Sequence, residues 1–155
     1  MTERTLALSH DTAYGLALSR LGTLARRNGN PAQALALRSR ALLLLKPYMQ
    51  PPQSRTMQPI LLCTLLELAR DQAQFGRHVD SRITLVEVVH VLDDRFPDDF
   101  PELIDAYFEL AACTSARAEV RRLLERGTLL RVRLYGIDDP RTVEAITLLA
   151  ASGHV

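Results

Sequence analysis

A leucine followed by a glycine or alanine recurs four times in this chain, and the spacing of these pairs constrains the fold more than any other feature. The pairs are Leu21-Gly22, Leu68-Ala69, Leu110-Ala111 and Leu149-Ala150, and their second members lie 47, 42 and 39 residues apart. Small residues at a helix crossing let two backbones approach closely, because the interaxial distance depends on the side chains at the contact. The recurrence therefore predicts helix pairs that pack in the same way each time.

Proline, glycine and aspartate interrupt the chain where helices should begin and end. Asn30-Pro31 and Asp139-Pro140 each place a capping side chain before a proline at the first helical position. Asp99 precedes Phe100-Pro101 and predicts a third helix start. No stretch alternates apolar and polar residues for long enough to indicate a strand. The pattern predicts an all-α chain of about seven helices in antiparallel hairpins, near residues 10–28, 31–48, 54–75, 79–95, 101–115, 117–134 and 139–152.

Further small residues lie at fixed distances from the first two pairs. A glycine follows each pair by seven residues, and Ala34 and Ser81 follow by twelve. This arrangement resembles the tetratricopeptide repeat, especially the 42-residue variant of kinesin light chains, and the best matches are residues 125–150 and 19–45. The resemblance implies one domain over residues 1–155, a helix-hairpin solenoid of about three and a half repeats. Its units would lie near 11–53, 54–97 and 98–136, followed by a final helix at 139–152. A helical bundle without repeats is the alternative.

Composition indicates an ordinary globular protein. The chain has 155 residues, 47% of them hydrophobic and 24% charged, with a formal net charge of +1. Eighteen arginines against one lysine indicate a bacterial coding sequence rather than a nucleic-acid partner. Two cysteines far apart and the absence of a signal-like or membrane-length apolar run lead us to expect a cytoplasmic protein that does not contact a membrane.

No pattern of catalytic or metal-binding residues is recognisable. The four histidines are not spaced three or four residues apart, so no helical face pairs two of them as metal ligands. Glycine-rich phosphate loops and the Gly-x-Ser-x-Gly elbow are also missing from the sequence. The basic segment 117–133 contains glutamates, which favours a solvated helix face over nucleic-acid binding. We therefore expect no enzyme activity, no cofactor and no metal.

The resemblance places a binding groove along the first helix of each hairpin. The positions it implies in the three units are Ser19, Thr23, Arg26, Arg27, Cys63, Leu66, Arg70, Asp105, Phe108 and Ala112. The arginines would make one end of the groove basic, and Leu66 and Phe108 would make its middle apolar. Arginine recognises carboxylates and phosphates by bidentate hydrogen bonds, and an apolar centre accepts an anchor side chain. In the alternative interpretation the arginines are a solvated helix end, and the two apolar residues belong to the core.

The final predicted helix is apolar around most of its circumference. A terminal helix of a repeat array normally presents a polar face to water. The residues Val143, Ile146, Leu148 and Leu149 therefore predict burial against the chain itself and against a second chain, as in a homodimer.

Together these patterns predict a non-enzymatic adaptor, chaperone or regulator that holds a protein or peptide partner in a concave helical groove. The alternative function is a regulatory module that senses a small ligand or peptide and acts as a dimer.

Overall fold

The computed structural model describes residues 3–49 and 54–153, and it describes side-chain environments for residues 10–47 and 58–153. All regular structure in these residues is helical, which confirms the all-α prediction. The helices are α1 (Glu3–Arg27), α2 (Pro31–Leu45), α3 (Ser54–Gln74), α4 (His78–Asp94), α5 (Asp105–Ala112), α6 (Arg117–Tyr135) and α7 (Pro140–Ser152). Short 3₁₀ turns at Lys46–Met49 and Pro101–Ile104 follow α2 and precede α5.

Two of the three predicted helix caps are confirmed. The side chain of Asn30 accepts a hydrogen bond from the backbone of Gln33 at 3.2 Å, and that of Asp139 accepts one from Arg141 at 2.9 Å. The prediction of Asp99 as a helix start is wrong. Phe100 precedes the 3₁₀ turn instead, without a side-chain cap bond, and Asp99 lies in the turn before it.

The chain divides into two compact units, residues 1–84 and residues 85–155. In the first unit α1 packs against α2, and α2 packs against α3. Close approach explains the small residues there. A Cβ on Gly22 would lie 3.3 Å from the carbonyl oxygen of Ala34, which is fully buried. The hydroxyl of Ser81 donates a 2.7 Å hydrogen bond to the carbonyl of the equally buried Ala69.

In the second unit α6 packs against both α5 and α7. A Cβ on Gly127 would lie 2.7 Å from the ring of Phe108, so a side chain at this position would displace that ring. Ala111 is buried, whereas Ala150 is exposed. Tyr107 is fully buried and its hydroxyl bonds to Asp93 at 2.9 Å; burial, reinforced by this bond, raises the pKa of Tyr107 to about 12.

Candidate functional site

A fully buried arginine links α1, α2 and α3 of the first unit. Arg38 projects from α2, and its Nε donates to Asp71 of α3 at 2.9 Å; both side chains are 0% exposed. The same guanidinium donates to the hydroxyls of Ser19 and Thr23 on α1, at 2.7 and 3.0 Å. A buried cation requires a paired charge and further hydrogen bonds to offset its desolvation. Arg38 obtains both.

Glu67 and Asp71 also bind the arginines that the sequence assigned to a basic groove. Arg26 contacts Asp71 at 2.7 Å and Glu67 at 2.5 Å, and Arg70 contacts Glu67 at 2.6 Å. Burial of Glu67 acts to raise its pKa, but the hydrogen bonds from Arg26 and Arg70 outweigh burial and hold the pKa below 4.5. These contacts define a charge network made of Ser19, Thr23, Arg26, Arg38, Glu67, Arg70 and Asp71.

The structure thus brings together four of the predicted groove residues, and their polar groups form hydrogen bonds inside the first unit. They are Ser19, Thr23, Arg26 and Arg70. Sequence reasoning missed Arg38, Glu67 and Asp71. A signal for Arg38 was available, because it lies four residues after Ala34 and three before Ala41, at core-facing helical spacing. An arginine on the buried face of a helix requires a nearby carboxylate.

The remaining predicted groove residues have different environments. Cys63 is half-buried, and Leu66 is 2% exposed and belongs to the core. Arg27 and Ala112 are exposed. Asp105 and Phe108 lie in the second unit beside Arg131, whose guanidinium stacks 4.1 Å from the centroid of the Phe108 ring.

An exposed surface on α1, here termed the α1 face, adjoins Arg27. Tyr14, Leu21 and Leu24 are 47, 50 and 54% exposed and, with the exposed Ala17, follow helical spacing along one stripe. Arg20 and Arg27 are also exposed, and each lies one helical turn from Leu24. In the described part of the chain, neither arginine forms an ion pair. The α1 face therefore combines apolar area with unneutralised positive charge.

A cleft of about 280 Å³ lies in the second unit, between the 3₁₀ turn at Pro101–Ile104, the end of α6 and the start of α7. Its apolar wall is formed by Pro101, Ile104 and Tyr135. The charged groups that line it are two acids and two bases: Glu102, Asp105, Arg131 and Arg141. It is termed the Arg131 cleft below.

The two arginines of the Arg131 cleft are held in different ways. Arg131 is only 12% exposed, and its short hydrogen bond, 2.7 Å, is to the backbone carbonyl of Arg141. Its carboxylate neighbours, Asp105 and Glu144, are at 3.4 and 3.7 Å. Arg141 uses Nε and Nη2 to hold Asp139 at 2.9 and 3.0 Å, and it stacks 3.6 Å from the centroid of the Tyr135 ring.

The predicted self-association residues of α7 are mostly accessible. Val143, Ile146 and Leu148 are 50, 39 and 45% exposed, and Leu149 is half-buried. The face of α7 that turns inward instead carries Thr142 and Ala145, both fully buried.

The described residues contain no cluster of three or more histidine, cysteine or acidic side chains able to hold a metal ion. Within the same residues, none of the helices combines the length and the apolar character needed to span a bilayer.

Neither a family model nor a curated protein matches the sequence. Solved structures do match it. A putative kinesin light chain from Podosopora anserina with nearly identical TPR-like repeats, and a point variant of the same protein, superpose with a TM-score of 0.70 at 19% sequence identity. Each match covers 92% of this chain. The chain has a tetratricopeptide-like repeat fold. It spans 66% of the length of each of those structures, slightly under two thirds. The resemblance inferred from the Leu-Ala and Leu-Gly pairs is confirmed at the level of the fold.

Proposed function

We propose that this tetratricopeptide-like chain is a non-enzymatic protein–protein interaction module, an adaptor, chaperone or regulator, which holds a segment of a partner protein on its first helix. The observation that carries this proposal is the α1 face. Tyrosine and arginine are enriched at protein interfaces, where they supply contact area and charge-assisted hydrogen bonds. Arg20 and Arg27 flank an apolar stripe, and neither forms an ion pair with an acidic side chain in the described residues.

The apolar area and positive charge of the α1 face indicate which kind of protein segment it can bind. A segment that matches it presents apolar side chains to Leu21 and Leu24 and carboxylates to the two flanking arginines. The surface differs from the predicted basic groove, because Arg26 and Arg70 form ion pairs inside the charge network. Arg27 is the one arginine of that predicted set that remains available on the α1 face.

Co-purification from the native host identifies the partner, and the charge-reversal variant Arg20→Glu/Arg27→Glu then tests the site. We expect the affinity for a stoichiometric partner to fall at least about 10-fold at low salt, because rim charges set complementarity. The wild-type affinity should also fall as salt is added. Arg82→Glu is the matched control, since Arg82 is an exposed arginine of the same unit outside the α1 face. Equal affinity in both variants, or the lack of any stoichiometric protein partner, would contradict the proposal.

The exposed apolar residues of α7 favour the second candidate, a regulatory module that acts as a homodimer. Replacing Val143 and Ile146 by aspartate should convert a dimer into a monomer without unfolding the chain, because both side chains are largely exposed. Sedimentation of the wild-type chain as a monomer at high micromolar concentration would argue decisively against this dimer.

A further inference from the structure

Helix α1 carries two stripes of small and apolar residues with the same spacing. The first stripe is buried, with intervals of three, four and three residues, and its members are Gly15, Leu18, Gly22 and Ala25. It receives α2, because a Cβ on Gly15 would lie 3.0 Å from Leu45 and one on Gly22 would lie 3.3 Å from Ala34. Alternating intervals of three and four residues are those by which one helix packs side by side on another.

The second stripe is the apolar part of the α1 face. It begins one residue earlier along the chain and repeats the intervals of three, four and three in Tyr14, Ala17, Leu21 and Leu24. One residue corresponds to about 100° around the helix axis, so this stripe lies beside the one that receives α2. Arg40 lies 5.6 Å from the centroid of the Tyr14 ring, yet Tyr14 remains 47% exposed, Leu21 50% and Leu24 54%. The α1 face thus has the spacing of a helix-packing surface and is open to solvent.

The charges beside the second stripe indicate which helix fits it. Arg20 and Arg27 are seven residues apart, so both lie along one edge of the stripe. In a pair of packed helices, side chains along such an edge meet those of the partner helix, and opposite charges there set the choice of partner.

A second copy of α1 does not supply those opposite charges. In an antiparallel pair of α1 helices, Arg20 and Arg27 would face the same arginines of the other copy. In a parallel pair they would face Leu18 and Ala25, which are apolar and buried. Neither arrangement gives the arginines a carboxylate, so the matching helix belongs to a different protein and is acidic.

We propose that the α1 face binds an acidic amphipathic helix of a partner protein, packed side by side with α1. The stripe from Tyr14 to Leu24 is about 15 Å long, so the partner contributes about three helical turns. Its apolar side chains recur at intervals of three and four residues, and its carboxylates pair with Arg20 and Arg27. This inference rests on the proposed function and deepens it, because it names the form and the charge of the segment held on the same surface.

Titration of the full chain with synthetic peptides, followed by fluorescence anisotropy, tests the proposal. The acidic helix peptide has three heptads, with leucine at the two core positions of each heptad and glutamate at the two positions that border them. One control peptide has lysine in place of glutamate. The other keeps the composition of the acidic helix peptide but is shuffled, so that leucine no longer recurs at intervals of three and four.

The acidic helix peptide should bind saturably, and each control peptide should bind at least about 5-fold more weakly, because it lacks either the charge or the spacing that matches the α1 face. Binding of either control peptide as tightly as the acidic helix peptide would overturn the proposal. Binding of the acidic helix peptide that does not saturate at about 1 mM would overturn it as well.

Two double variants locate the binding surface. Leu21→Asp/Leu24→Asp should weaken binding of the acidic helix peptide at least about 10-fold, because it replaces the centre of the apolar stripe. Val79→Asp/Ile83→Asp is the matched control. It introduces the same charges at two apolar residues of α4 that are 74 and 62% exposed, and it should leave the affinity unchanged. Equal weakening by the two variants would overturn the assignment to the α1 face.

A charge exchange tests the role of the arginines. Arg20→Glu/Arg27→Glu should reverse the preference, so that the lysine peptide binds more tightly than the acidic helix peptide. An unchanged preference for the acidic helix peptide in this variant would overturn the pairing with Arg20 and Arg27.

The native partner separates this inference from the proposed function. If Arg20→Glu/Arg27→Glu loses the native partner but the wild-type chain does not bind the acidic helix peptide, the helical form of the partner segment is wrong and the proposed function stands. If the variant keeps the native partner at wild-type affinity, the proposed function itself is contradicted.

Discussion

Two arginines withdrawn from solvent, Arg38 in the first unit and Arg131 in the second, are paired with carboxylates at different distances. Arg38 is fully buried, with a carboxylate at 2.9 Å and two hydroxyls within 3.0 Å. Arg131 is 12% exposed, and its carboxylate neighbours Asp105 and Glu144 lie at 3.4 and 3.7 Å. Arg38 is thus both more deeply buried and more closely paired than Arg131, so the loss of a charged partner should destabilise the first unit more than the second.

The largest loss of stability is expected when Arg38 loses a carboxylate partner. Asp71→Asn leaves this buried guanidinium with Glu67, at 3.5 Å, as its one remaining carboxylate partner in the described residues. We expect the free energy of unfolding to fall by about 3–5 kcal/mol. Urea unfolding followed by circular dichroism measures the change. As a control, Asp80→Asn removes the exposed ion pair of Asp80 with Arg77 and should change stability by about 1 kcal/mol or less.

A double replacement tests whether the unpaired charge of Arg38 causes this loss of stability. Arg38→Met/Asp71→Leu removes both charges together, so it should be more stable than Asp71→Asn alone. If the double variant is as unstable as the single one, the unpaired charge is not the source of the loss.

Replacing Arg131 should have a smaller effect on stability. Arg131→Met loses a short hydrogen bond to a carbonyl, a long one to Asp105 and the stacking on Phe108, which together contribute about 1–2 kcal/mol. It does not leave a buried carboxylate without a partner, because Asp105 and Glu144 are 46 and 69% exposed. The same urea titration, with Arg133→Met as the control, checks this difference. A loss equal to that of Asp71→Asn would remove the distinction between the two arginines.

The smallest effect concerns acid stability in the first unit. The pKa of Glu67 is lower in the folded chain than its ordinary value of 4.5. The unfolded chain therefore binds this proton more readily, so Glu67 stabilises the fold above pH 4.5, and that contribution disappears as the pH falls through the folded-state pKa. The stability difference between the wild type and Glu67→Gln should narrow in acid. A difference that stays constant from neutral pH into acid would contradict this linkage.

Local chemistry made most of the helices predictable. Asn30 and Asp139 each precede a proline, and their side chains bond to nearby backbone N–H groups, so the signal and its cause lie within a few residues. Asp99 is also an aspartate close to a proline, but Phe100 lies between the two residues. Phe100, not Asp99, is therefore the residue that precedes the 3₁₀ turn. Helix α1 begins at Glu3, earlier than the predicted residue 10, because no proline or glycine signals its start.

The charge network could not be predicted in the same way, since its partners are distant in sequence. Arg38 and Asp71 are 33 residues apart and meet only because α2 packs against α3. The offset from Gly22 predicts that Ser19, Thr23 and Arg26 line a groove, but side chains at this offset contact α2 and α3. Leu66 was open to either interpretation on sequence alone, and only burial places it in the core.

The position of Arg38 determines where this chain can tolerate insertions. One added residue within α2 ahead of Arg38 would rotate the guanidinium by about 100° around the helix axis, away from the oxygen atoms that surround it. An added residue in the turn at 28–30 would leave the helical phase of α2 intact. During evolution, length variation in this hairpin should therefore accumulate in the turn, while the interval from Pro31 to Arg38 stays fixed.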